Sequence, residues 1–149
     1  MKKILSLAII IAGIVADQLF KNWIVKNIPL NTVKKFIPGW MSLTHVTNSG
    51  AAWSMFQGQQ WAFNVLTPVA VLIALYFLWK KNRQISYNLA LSMIVAGALG
   101  NWMDRIRQGF VVDMFQTDFI NFPIFNIADS LLSVGFVVLI FAILFDKSE

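Results

Sequence analysis

The chain has 149 residues, 58% of them hydrophobic and only 13% charged, with a formal net charge of +5. A soluble domain carries about 25% charged residues, so too little charge is present to coat a water-facing globule, which argues against a cytosolic enzyme, a disordered tail and a nucleic-acid module. With no cysteine and a single histidine, His45, the chain lacks disulfides, thiolate metal sites, cysteine nucleophiles and multi-histidine clusters. No cofactor and no metal are therefore expected.

A helix that crosses the hydrocarbon core needs about 20 mostly apolar residues. The first such segment runs from Ile4 to about Val25 and is interrupted by Asp17 and Lys21. These lie four apart, acid before base, the favourable order for pairing on one helix face. Lys2-Lys3 and the apolar run ending at Ile14-Val15-Ala16 also have the layout of a cleavable signal peptide; the reading adopted is a retained span, which keeps Asp17 and Lys21. From about residue 26 to 60 the breakers Pro29, Pro38, Gly39, Gly50 and Gly58 separate β-prone runs such as Ser42–Thr47. A small sheet or hairpin on the membrane surface is expected there, with His45 as a strand residue.

The second span is the uncharged stretch Trp61–Trp79, and the third is Ile85–Met103. Within the third, Gly97-Ala98-Leu99-Gly100 is a small-residue patch that permits close helix packing. Residues from about 104 to 123 read as a second outer loop. The fourth span runs from about Ile124 to Phe145, with Asp129 near its start. Trp23, Trp61, Trp79 and Trp102 lie near segment ends, as interfacial aromatics do. The whole, residues 1–149, fits one domain.

Orientation rests on Lys and Arg in the short loops. Lys2, Lys3, Lys80, Lys81, Arg83 and Lys147 share one side, while Lys26, Lys34, Lys35, Arg105 and Arg107 lie opposite with Lys21 at the boundary. The raw count is no better than a tie. The density of charge at 80–83 decides for both termini in the cytoplasm.

Of the seven acids, Asp146, Glu149 and Asp118 read as solvated, and Asp17, Asp104, Asp113 and Asp129 lie near helix ends at the outer face. An ionisable group at the centre of a membrane helix costs about 2.5–3.5 kcal/mol. Asp129 is expected about five residues, roughly 7–8 Å, inside the fourth span, where the cost is smaller but its neighbours offer nothing polar. Asp113 sits in an oily run between Val111-Val112 and Met114-Phe115. A loop of about 20 residues between antiparallel spans could bring Asp113 and Asp129 together. Two carboxylates in a low-dielectric site share one proton and titrate as a pair. That arrangement suits peptide hydrolysis: the ionised partner activates water and the protonated one donates to the oxyanion. The alternatives are that either acid caps a helix or pairs with Arg105 or Lys21, or that Lys21 serves a Ser–Lys dyad.

Around these acids the local strings are recognisable: Asp17-Gln18-Leu19-Phe20-Lys21; Asn48-Ser49-Gly50-Ala51-Ala52-Trp53-Ser54; Gly100-Asn101-Trp102-Met103-Asp104-Arg105 with Gly109-Phe110-Val111-Val112-Asp113; and Phe125-Asn126-Ile127-Ala128-Asp129-Ser130. In this order the chain resembles the lipoprotein signal peptidases (signal peptidase II), aspartic proteases of bacterial inner membranes. Trp53 stands where phenylalanine is common and Met114 where an aromatic is frequent, departures that bear only on pocket shape.

The resemblance implies an all-α membrane protein of four transmembrane helices with a small extracytoplasmic β-platform and a short surface helix. It implies Asp113 and Asp129 as the catalytic pair, near the outer face. The substrate would be a prolipoprotein whose cysteine already carries diacylglycerol, cut just before that cysteine, and globomycin-type inhibitors would block the pair. Asn48, Asn126, Asn101, Arg105, Asp104, Asp17 and Lys21 are expected to bind substrate or support the site. Phe56, Trp53, Trp102 and Met114 could line a groove for lipid chains. The expected partners are lipid-modified precursors and membrane lipids, not nucleic acid, and the chain is expected to be monomeric. The rivals are a proton-relay or transporter subunit, whose acids would carry protons, and a structural or lipid-binding module whose acids only cap helices.

Overall fold

The computed structural model describes residues 2–50, 58–80 and 84–145. In chain order it contains α1 (Lys2–Asn27), β1 (Val33–Ile37), β2 (Met41–Asn48), α2 (Gln60–Lys80), α3 (Ile85–Gln108), β3 (Val111–Thr117) and α4 (Ile127–Leu144). At about 1.5 Å per residue, α1, α2 and α4 are each long enough and apolar enough to cross a hydrocarbon core. Large apolar side chains such as Leu19, Leu66, Leu72, Ile140 and Phe141 point outward from them. Such an outward apolar coat needs a solvent that is itself apolar.

α3 is different. The other three helices all pack against it, and it buries Asn88, Ser92, Asn101 and Asp104. A helix screened by its neighbours can carry polar groups that a lipid-facing one cannot, which is why α3 is the least apolar of the four. It also runs further than the sequence reading placed it. The stretch Asp104–Gln108 stays helical, with Arg105 and Arg107 at the negative end of the helix dipole. The helix ends where Gly109 adopts φ 80°, a left-handed C-cap conformation.

The Gly97–Gly100 patch is where three helices meet. A Cβ on Gly97 would stand 2.4 Å from the carbonyl oxygen of Ala128, and one on Gly100 would stand 2.8 Å from Oδ2 of Asp17. The expected close packing is present, and it delivers the start of α4 directly against α3.

The three strands form one antiparallel sheet in the order β1-β2-β3. The breaker-rich segment supplies the first two strands as expected, and His45 lies in β2 with its Nδ1 3.0 Å from the Ile28 carbonyl oxygen. The third strand, β3, comes from the stretch read as an outer loop. Its Val46↔Asp113 and Asn48↔Val111 pairings place Asp113 in the sheet. Ile24, Ile28, Leu43, Val112 and Met114 form an apolar cluster joining α1 to the sheet, separate from the cluster of Ile10, Val71, Leu78, Leu91 and Val95 in the bundle. Among the described residues no separate short helix lies between α1 and α2; residues 51–57 fall outside them.

Candidate active site

Strand alternation aims Asp113. Val112 and Met114 pack into the cluster that joins α1 to the sheet, so the side chain between them turns to the opposite face. It meets a cavity of about 540 Å³ lined by Asn48, Asn101, Arg105, Asp113 and Asp129 together with Ile124, Leu132 and Phe136. Asp129 reaches the same cavity from the first turn of α4. It is the third helical residue rather than about five residues into a span, because α4 starts at Ile127.

The cap alternative holds for Asp129 without excluding it from the cavity. Asn126 and Asp129 form a reciprocal capping box: the Asp129 N–H donates to Asn126 Oδ1 at 2.8 Å, and the Asn126 N–H donates to Asp129 Oδ2 at 3.1 Å. The other Asp129 oxygen, Oδ1, accepts from Asn101 Nδ2 at 2.8 Å. Asp129 is thus well supplied with polar partners, contrary to the expectation from its sequence neighbours.

Three asparagines present N–H groups to the two acids. Asn126, fully buried, donates to Asp113 Oδ1 at 2.7 Å, and Asn48 donates to Asp113 Oδ2 at 3.0 Å. Each amide is held in that sense by a donor on its own oxygen: the Gly50 N–H on Asn48 at 2.9 Å, and the Asp129 N–H on Asn126. The Asn126 side chain and backbone therefore touch both acids at once. Burial pushes the Asp113 carboxyl up to about 7, with the neighbouring Asp129 charge acting in the same direction and the amide donors opposing.

Behind this pair lies a second set of charges. Lys21 Nζ sits 2.8 Å from Asp17 Oδ2 and 2.8 Å from Asp104 Oδ2, so the expected Asp17–Lys21 pair is present but shared with a third residue. Asp17 Oδ1 also accepts the Ala128 N–H at 2.9 Å, tying α1 to the start of α4. A Ser–Lys dyad does not form among the described residues, because the contacts of Lys21 are to Asp17, Asp104 and Asn101.

Arg105 holds the end of β2 through the Gly50 carbonyl. Its Nη2 donates to the Gly50 carbonyl at 2.9 Å, and its guanidinium lies 4.3 Å from the Phe63 ring centre. Gln18, quoted in the first motif but not singled out, donates to Asp104 Oδ1 at 2.9 Å and to the Gly100 carbonyl at 3.2 Å. Its place next to Asp17 on a helix that turns a polar face inward was the signal.

The expected groove residues fare less well. Met114 is fully buried in the core, Trp102 is not among the cavity's lining residues, and Trp53 and Phe56 lie outside the described residues. The apolar wall comes instead from Phe122–Phe125 and from the α4 face carrying Leu132 and Phe136. Among the described residues no group of three His, Cys, Asp or Glu side chains could hold a metal ion.

A cavity with two carboxylates, one oily wall and only neutral amides on the acids is suited to activating water against an apolar substrate. Comparison with known proteins identifies the family. Residues 9–145 match the model of the family described as signal peptidase (SPase) II. The chain is 67% identical over 147 residues to a lipoprotein signal peptidase of Lactococcus lactis subsp. cremoris (strain SK11), covering 99% of this chain and 98% of that one. It is 47% identical to the lipoprotein signal peptidase of Streptococcus agalactiae, covering 100% of this chain and 97% of that one. A solved structure described as a bacterial membrane enzyme, determined by the in meso method at 2.3 Å, superposes with a TM-score of 0.89 at 35% identity, covering 96% of this chain and 89% of that one. Sequence, fold and the order of the motifs converge: the chain belongs to the signal peptidase II family.

Proposed function

We propose that the chain is an aspartic endopeptidase of the bacterial cytoplasmic membrane that removes signal peptides from prolipoproteins. The bond cut is the one just before the diacylglyceryl-modified cysteine. In this reading Asp129, ionised, takes a proton from a bound water, and the resulting hydroxide attacks the scissile carbonyl carbon. Asp113, protonated, donates to the carbonyl oxygen as it becomes the oxyanion. Collapse of the tetrahedral intermediate breaks the C–N bond, the amine leaving with the proton held by Asp129 while one hydroxyl of the intermediate returns its proton to Asp113. A carboxylic acid and a new N-terminal cysteine result.

All four helices cross the bilayer in this reading, with both termini cytoplasmic, the sheet on the outer face and the cavity at the outer rim. The oily wall of Ile124, Leu132 and Phe136 suits the acyl chains, and globomycin-type inhibitors would occupy the same space. One chain suffices. The observation that carries the reading is the single residue Asn126 bonded to both acids at the cavity's edge.

The test is cleavage of a diacylglyceryl-cysteine precursor peptide by the purified chain in detergent. Turnover at that bond is expected, blocked by globomycin and unaffected by chelator. Asp113→Asn and Asp129→Asn are each expected to abolish it while the helical content is kept. Near-normal turnover by either variant would remove the pair from the mechanism.

A further inference from the structure

Lys21 Nζ has three polar neighbours. Two are the carboxylates of Asp17 and Asp104, each 2.8 Å away, which balance its charge. The third is a neutral group, Oδ1 of Asn101, to which it donates at 2.9 Å. That bond is the one that leaves the ion cluster and points toward the cavity.

Asn101 Oδ1 accepts a second bond, from Asn126 Nδ2 at 3.1 Å. With two donors on its oxygen the amide cannot be turned round, since a flip would set its own N–H groups against an ammonium and another amide N–H. Its Nδ2 therefore faces Asp129 Oδ1, to which it donates at 2.8 Å. Both Asp129 oxygens then accept bonds from fixed donors, Asn101 on one and the Asn126 N–H on the other. That pattern fixes the plane and direction of the Asp129 carboxylate.

We infer that Lys21 is a positioning residue that acts through Asn101, locking the amide so that its N–H holds the Asp129 carboxylate in the orientation it needs to act on water. The charged groups around this line are Lys21 and Asp17 on α1, Asp104 and Arg105 on α3, Asp113 on β3, and Asp129 itself on α4. The inference rests on the proposed aspartic mechanism and adds a direction to it: Lys21 to Asn101 to Asp129.

A double-mutant cycle tests it. Lys21→Met is expected to lower kcat about 100-fold, the cost of a small misplacement of a reacting group, with KM little changed. Asn101→Leu should do about the same, and the double variant should fall no more than about twofold below the slower single one, because each removes the same link. Lys21→Arg, which keeps a donor, should recover most of the loss. Multiplying losses, about 10,000-fold in the double variant, would overturn the inference, since independent sites add in free energy.

So would full recovery of cleavage in Lys21→Met/Asp17→Asn/Asp104→Asn, which would make the lysine only a counter-charge. Should Lys21→Met alone not fold, the same cycle is run in the Asp17→Asn/Asp104→Asn background, where removing the lysine strands no carboxylate. The two readings fail separately. Activity in Asp113→Asn or Asp129→Asn would end the aspartic mechanism, whereas inactivity in both with additive Lys21 and Asn101 effects would end only this inference.

Discussion

Two pairs of carboxylates lie side by side here and have opposite fates. Asp17 and Asp104 grip one ammonium, that of Lys21, and lie buried with it. Asp113 and Asp129 face a cavity and are bonded by asparagine amides and a backbone N–H. A cation fixes a carboxylate in its charged form and spends its lone pairs. Neutral donors orient it and leave the charge to be shared. What distinguishes the two pairs is therefore the identity of the donor, an ammonium on one and neutral amides on the other.

Putting a cation on the open pair should break the contrast most severely. Asn48→Lys would bring an ammonium to Asp113 and strip its proton, and cleavage is expected to fall by about 100- to 10,000-fold, the usual worth of a general acid. Taking an acid from the closed pair acts on folding instead. Asp17→Leu removes both the Lys21 contact and the acceptor for the Ala128 N–H, and should destabilise the chain by about 3–5 kcal/mol in detergent denaturation.

The pH profile sharpens the comparison. Because the Asp113 carboxyl is raised to about 7, the proton it donates in the proposed mechanism would be present below that value and lost above it. Cleavage should thus decline about tenfold per unit on the alkaline side. Asn48→Leu, which deletes a donor to the carboxylate without adding charge, should move that limb to higher pH. A profile flat from pH 6 to 9 would separate Asp113 from the proton. The smallest effect is expected at the seam between helices: Gly97→Ala, whose Cβ would meet the Ala128 oxygen at 2.4 Å, should cost about 1–3 kcal/mol through overpacking.

Much of this arrangement was legible in the residues. The four-residue spacing of Asp17 and Lys21 already forecast their pairing, and the Gly97–Gly100 patch forecast close helix contact. The β-prone run Ser42–Thr47 forecast a strand. Residues 109–123 were harder, because Val111-Val112-Asp113-Met114-Phe115 carries an acid where alternation would show an apolar strand, and only the partner strand β2 resolves it. The polar surroundings of Asp129 were hidden for a different reason. Asn101 lies on another helix, and nothing local announces a contact that distant in the chain. The sense in which each amide points is hidden more deeply still, since it depends on what donates to its oxygen.

Asn126 opens α4 and bridges the two acids with the same few atoms. Under the proposed mechanism, fraying of one helix end and loss of turnover would be a single event. Heat or harsh detergent should silence the enzyme while circular dichroism still reports intact helices, and the gap between those two temperatures would measure how lightly the first turn of α4 is held.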